Sequence, residues 1–366
     1  MYGSVMPGRR PGAFSRTRRK GASVRSASAT GVAIVITAIL LSGCGASTAE
    51  TRDQATFGGG NAVPEAETSG EATPLPRATS SVRHARTRKP KVKPTPDARR
   101  ALARRSPSGL PSAATTGVPD GTPLTVVTGD QVFSGNGQTV VGKDFHGFVK
   151  VTGNDITFRN CVFRGRATSR NAALLDTEDG SGTIVEDSEF VPSNPSATID
   201  GIWAKNTKIY RSDIHGSVDG VKAFSDTLVQ DSYIHDMKRF GSDPNQGGGA
   251  THNDGVQSFG DIARVTLRHN TIDMSGLKDA NAAYQSSARD SLIEGNFLDG
   301  GGCTLNFSHK DAGTSISGIR VVGNRFGRHS FYQCPILLST KSFLSQNSGN
   351  VWKDTGEAIP APQRHD

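Results

Sequence analysis

The sequence has little of what usually fills a large globular core. Aromatic residues make up 6% of the 366 positions and all hydrophobic residues 34%, with two Trp and four Met. In a chain with 43 glycines, so low an apolar fraction argues against several helical domains; it fits one turn-rich β domain joined to segments without a core. Helical apolar periodicity is also missing, which excludes a helical solenoid. The longest mostly apolar run, Gly31 to Leu41, is 11 residues and too short for the ~20 that a permanent membrane-spanning helix needs. Acidic residues are absent from the first 44 positions, which hold seven Lys/Arg. Residues 45–120 hold 12 Lys/Arg against seven Asp/Glu, and residues 121–366 hold 23 against 27. The net charge of +8 therefore belongs to the front of the chain, and the remainder is not expected to bind nucleic acid.

The front reads as an export signal. A basic stretch (Arg9, Arg10, Arg16, Arg18, Arg19, Lys20, Arg25) precedes the apolar run, and Leu41-Ser42-Gly43-Cys44 follows it. The tetrapeptide resembles the bacterial lipobox. That resemblance implies cleavage before Cys44, lipidation of its thiol, and a protein anchored to the cell membrane on its outer side; an ordinary secretory signal is the alternative and gives the same compartment. Residues 44–120, rich in Pro, Ala, Ser and Thr, are expected to be a disordered linker. Within it, Arg83 to Arg105 carries ten basic residues and one acid, which suits a solvated spacer or a contact with anionic lipid or cell wall.

What the remainder does contain is a repeat. Phe158-Arg-Asn-Cys-Val-Phe163, Val185-Glu-Asp-Ser-Glu-Phe190, Ile209-Tyr-Arg-Ser-Asp-Ile214 and Leu267-Arg-His-Asn-Thr-Ile272 share one pattern: an apolar residue, two variable ones, a small polar anchor, another variable one, and an apolar residue. The anchors run Cys161, Ser188, Ser212, Ser232, Asn270, Asn296, Asn324 and Asn350, at intervals of 20 to 38 residues. Short alternating apolar runs between Gly, Asn, Asp and Ser are a strand-and-turn signature. The expected architecture is all-β, a right-handed parallel β-helix of about eight to ten coils over residues 121–352, with residues 353–366 an unstructured tail. The repeat resembles the pectate-lyase-like β-helix superfamily of lyases, polygalacturonases and epimerases.

Between anchors lies a second strand: Asp200-Gly-Ile-Trp203, Asp219-Gly-Val-Lys222, Asp254-Gly-Val-Gln257, Ala282-Ala-Tyr-Gln285, Cys303-Thr-Leu-Asn306 and Cys334-Pro-Ile-Leu337. A common frame stacks equivalent positions. It places Cys303 over Cys334, within disulfide reach, and leaves Cys161 a buried thiol. It stacks Asp200, Asp219 and Asp254, whose mutual repulsion raises a pKa or calls for a cation; the alternative is that each Asp caps its own turn. Trp203, Gln257, Gln285 and Asn306 form an outward column suited to sugars. His215, His235 and His252 flank these coils, beside an insertion from Met237 to Thr251, and His215 and His235 are expected to join the substrate-binding column.

The resemblance implies engagement of polysaccharide, an acidic glycan first, by a monomer. In a uronate lyase Lys222 would be the base, its pKa lowered by burial or by a neighbouring cation such as Arg239, with His252 and Asp254 in the catalytic group and Asp200, Asp219 and Asp254 as Ca²⁺ or substrate ligands. A glycoside hydrolase using Asp219 and Asp254, and a non-catalytic glycan-binding or structural surface module, are the alternatives.

Overall fold

The computed structural model describes residues 109–366; the signal segment, Cys44 and most of the linker lie outside the described residues. Three parallel sheets run along the molecule. Sheet A has ten strands, from Thr125–Thr128 to Val351–Trp352; sheet B has ten, from Gln131–Phe133 to Gln363–Arg364; sheet C has nine, from Thr139–Val141 to Ser342–Ser348. Each strand pairs with those one coil before and one coil after. This is a right-handed parallel β-helix, the hand that parallel crossovers take. Among the described residues the helical content is one 3₁₀ turn, Pro244–Gln246.

Alternation sets the core. In sheet A the inward column runs Phe145, Phe163, Phe190, Ile214, Ile234, Ile272, Leu298 and Phe326, all buried. The Phe163 and Phe190 rings stack in parallel at 4.5 Å. Sheet B contributes Ile202, Val221, Val256, Tyr284, Leu305 and Ile336. Each side chain buried on this axis contributes roughly 1.5–3 kcal/mol.

The sequence repeat is the turn from sheet C to sheet A. In Phe158-Arg-Asn-Cys-Val-Phe163, Phe158 lies inside the sheet C strand Thr157–Arg159 and Phe163 ends the sheet A strand Val162–Phe163. The residue before each anchor has positive φ: Asn160, Asp187, Arg211, Asp231 and His269, then Gly295, Gly323 and Gly349. That sharp bend turns the anchor inward, where every anchor is buried. The asparagines then form a ladder. The Asn270 backbone N–H donates to Asn296 Oδ1 at 2.8 Å, Asn296 N–H to Asn324 Oδ1 at 3.0 Å, and Asn324 N–H to Asn350 Oδ1 at 2.9 Å. Their amides donate to carbonyls of the preceding coil, as Asn296 Nδ2 does to Leu267 O at 2.9 Å. Serine does the same with one oxygen: Ser212 N–H donates to Ser232 Oγ at 3.1 Å.

Cys303 and Cys334 pair across adjacent coils, with Cα atoms 4.7 Å apart, and Cys161 is a buried free thiol at its anchor. Two ends differ from expectation. The tail is structured: Gln363–Arg364 pairs with Leu337–Leu338, and Thr340 N–H donates to Asp366 at 2.8 Å. Without it the last core strand, Cys334–Leu338, would leave its backbone groups unpaired over Ile336 and Leu338. The end of the linker is ordered too. Pro111 and Thr116 are buried, and Gly117 N–H donates to Arg211 O at 2.9 Å, closer to Asp213 than any side chain would comfortably allow.

Candidate functional site

Sheet B carries the site. Its register pairs Ile202 with Val221 and Val221 with Val256, which puts Asp200, Asp219 and Asp254 in one column. The Gly after each Asp is required by close approach: a Cβ on Gly201 would lie 2.3 Å from Gly220 O, and one on Gly220 2.5 Å from Gly255 O. The backbone therefore presses coil on coil here and holds the three carboxyls together. They do not cap their own turns. Asp219 Oδ1 accepts from the N–H of Asp254, one coil on, at 2.9 Å.

All three Asp are at most 5% exposed. Lys222 Nζ lies 2.7 Å from Asp200 Oδ2 and 3.6 Å from Asp219 Oδ2. Trp203 Nε1 donates to Asp200 Oδ2 at 2.8 Å. Asp254 receives Gln257 Nε2 at 2.8 Å and Asn281 Nδ2 at 3.0 Å. Burial, then the charges of Asp200 and Asp254, hold the Asp219 carboxyl well above the usual carboxylate range, against the pull of Lys222 and the Asp254 N–H. Burial pushes Asp254 up to about 7, against its amide donors. Burial lowers the Lys222 pKa, but Asp200 and Asp219 outweigh it and the net shift is upward. Asp219 is thus pushed toward its protonated form beside an ammonium held toward its charged form.

Asp200, Asp219, Trp203 and Lys222 open into a cavity of about 320 Å³, within the range of small-ligand sites. The 237–251 insertion walls it with Asp243, Asn245 and Gln246. This wall is rigid by construction. Asp243 is buried and its Oδ1 accepts from Asn245 N–H at 2.8 Å, while Asn245 and Asn171 exchange reciprocal amide hydrogen bonds at 2.9 and 3.0 Å. Asn253 Nδ2 fixes the base of the loop by donating to Val218 O at 2.7 Å and Lys238 O at 2.8 Å. His252 and the exposed Phe259 ring complete the rim.

The expected outward column exists: Trp203, Lys222, Gln257, Gln285 and Asn306 are in register. Trp203, Lys222 and Gln257 line the cavity; Gln285 is buried further along. Other expectations are corrected. Lys222 is not a base with a lowered pKa, because the neighbouring Asp200 and Asp219 carboxyls shift it upward against the effect of burial. Arg239 does not reach it and faces Asp279 at 3.7 Å. Asp254 sits behind Gln257 and Asn281, with no exposed surface. His215 and His235 belong to sheet A, where their rings stack at 5.1 Å. There His215 meets Glu189 at 3.2 Å, and His235 meets Asp213 at 2.9 Å and Asp236 at 2.7 Å, so both His235 nitrogens face carboxylates and its pKa is raised despite burial.

The Asp trio does not fit Ca²⁺. The ammonium of Lys222 bridges Asp200 and Asp219, and amide N–H donors, which repel a cation, saturate Asp254. Among the described residues no three His, Cys, Asp or Glu side chains are grouped to hold a metal. Asn171, Asn245, Gln246, Asn281 and Phe259 escape notice in the sequence. Only Asn281 carried a signal, one position ahead of the frame, level with Asn253.

No known protein family matches the chain, and no curated protein sequence does. Among solved structures it is similar to pectate lyase Pel9A, with 16% identity over 70% of each chain and a TM-score of 0.29. It is also similar to QnrB1, a plasmid-mediated fluoroquinolone resistance protein, with 11% identity over 65% of this chain and 92% of that one and a TM-score of 0.15. Likenesses this distant say nothing about chemistry; the three parallel sheets themselves establish the β-helix.

Proposed function

We propose that the sheet B cavity takes a polysaccharide and cleaves it by acid–base chemistry, on a protein held outside the cell by lipid on Cys44. The observation that carries this reading is the Asp219–Lys222–Asp200 cluster: two carboxyls on one ammonium, Asp219 shifted toward its protonated form and Asp200 ion-paired, on the floor of a cavity walled by amides and two aromatic rings. Neighbouring carboxyls with different protonation states are what acid–base cleavage of a glycosidic bond requires. Asp219 donates its proton to the departing glycosidic oxygen as the bond to the anomeric carbon breaks. Asp200 meets that carbon and forms a glycosyl ester, which water hydrolyses while Asp219 takes the proton back. Both carboxyls touch one ammonium, so the contacting oxygens are no more than about 6 Å apart, on the retaining side of the two known geometries.

The cavity lining has three acids, Asp200, Asp219 and Asp243, against one firmly charged cation, Lys222. That balance favours a neutral glycan over a uronate. One observation favours elimination from a uronate as the second reading: Lys222 stands where it could pair with a sugar carboxylate. The test incubates the purified protein with neutral and uronate polymers and follows both reducing ends and the absorbance of the unsaturated product. Asp219→Asn should lower turnover by about 10²–10⁴. Binding without release of any end makes the protein a glycan-binding module; neither binding nor cleavage of any polymer overturns the proposal. Cys44→Ser should release the protein into the medium.

A further inference from the structure

The cavity beside Asp219 does not end at Trp203. A second hollow of about 290 Å³ lies on its N-terminal side, lined by Gln131, Phe148, Lys150 and Asp176. Asn171 and Trp203 belong to the walls of both hollows. Register explains the continuity. Lys150 pairs with Asp176, Asp176 with Trp203, Trp203 with Lys222, and Lys222 with Gln257. Five successive coils thus set a polar or aromatic side chain on one line, and four steps of ~4.8 Å give a track about 19 Å long.

The second hollow is built rather than incidental. Lys150 Nζ is held by Asp176 at 3.2 Å and Asp179 at 2.7 Å. Asp130, on its rim, receives Arg166 Nε at 2.9 Å and Nη2 at 2.6 Å, and the guanidinium lies 5.2 Å from the Phe148 ring centre. Both cations, Lys150 and Arg166, already face carboxylates, three against two, so the hollow offers hydrogen-bond partners and no excess of positive charge for an acidic sugar. Phe148 and Trp203 supply apolar ring surface at either end. The Asn171–Asn245 amide pair fixes the wall where the two hollows join.

The geometry points to a second sugar subsite around Phe148 and Lys150, so that the protein holds a run of several uncharged sugar residues from Phe148 to Gln257 rather than a short oligomer. This rests on the Asp219 cavity being a glycan site. The chain length recognised is then set by residues that never meet the bond being cleaved.

The experiment titrates the full chain by calorimetry with size-graded ladders, two to eight residues long, of β-1,4-linked glucose, xylose and mannose and of α-1,4-linked galacturonate. The expected result is affinity for a neutral ladder that rises about tenfold between trimer and hexamer. Phe148→Ala and Lys150→Ala should each weaken hexamer binding about tenfold and trimer binding less than about twofold. Lys150 is 44% exposed, so its variant stays folded even if the loss of Phe148 disturbs the coil. Equal loss at every length, or no length dependence, overturns the subsite and leaves the glycan reading standing. A preference for the galacturonate ladder overturns the uncharged-chain assignment. No binding to any ladder overturns both.

Discussion

Asp254 makes the fold itself pH-sensitive in a direction unusual for a carboxylate. Its pKa rises from 3.8 to about 7 because the folded chain removes it from water. The folded state therefore holds this proton more tightly than the unfolded state does. Between about pH 4 and pH 7 the unfolded chain gives up the proton first, and stability falls as pH rises through that window, levelling off above it. A rise of this size corresponds to about 4 kcal/mol lost across the window. Asp219, raised for the same reason and by its carboxylate neighbours, acts with the same sign. His235 also loses stability with rising pH, but from about 6.5 upward, as its raised pKa is crossed. The variant that separates them is Asp254→Asn, which keeps the shape and cannot ionise; Gln257 can turn its amide to match. Urea midpoints measured from pH 4.5 to pH 8 should fall steeply for the parent and less for Asp254→Asn, which keeps the slope of Asp219 and His235, with the two curves furthest apart above pH 7. Parallel curves, or a parent that gains stability toward pH 8, would refute the reasoning.

The coil-to-coil contacts carry further consequences. Asn296→Ala strands the Asn270 N–H and Leu267 O in the core and should cost about 3–5 kcal/mol, whereas Asn296→Ser, which keeps an acceptor as Ser232 does, should cost about half as much by denaturant unfolding. Reduction of Cys303–Cys334, which closes a separation of 31 residues, should lower stability by about 3–4 kcal/mol, read by melting with and without reductant. Gly220→Ala should fail to fold or melt far lower, because the new methyl meets Gly255 O and Ile234. Hydrolysis, followed by proton NMR of the freshly released sugar end, should proceed with retained configuration; inversion would remove Asp200 from the nucleophile role.

Much of this molecule was legible as a pattern. The anchors from Cys161 to Asn350 marked the turn in every coil, because a positive-φ residue followed by a small buried polar side chain is a local requirement. Counting from them aligned Asp200 with Asp219 and Cys303 with Cys334, since parallel strands keep register from coil to coil. What lay across coils or around corners was not legible. His215 and His235 neighbour Asp219 in sequence but sit on sheet A, past a turn that redirects the chain. The reach of Asn245 back to Asn171, 74 residues earlier, depends on how the insertion folds over intervening coils.

The sequence by itself therefore determined the coil, its register, the disulfide and the stacking of three carboxyls, because each follows from a short repeating pattern. Only the tertiary structure decided the chemistry. Whether Lys222 holds or gives up its proton, which Asp is neutral, and which Asp faces the cavity depend on desolvation and on partners supplied by other coils. Those are sums over distance and burial, and no local pattern encodes them.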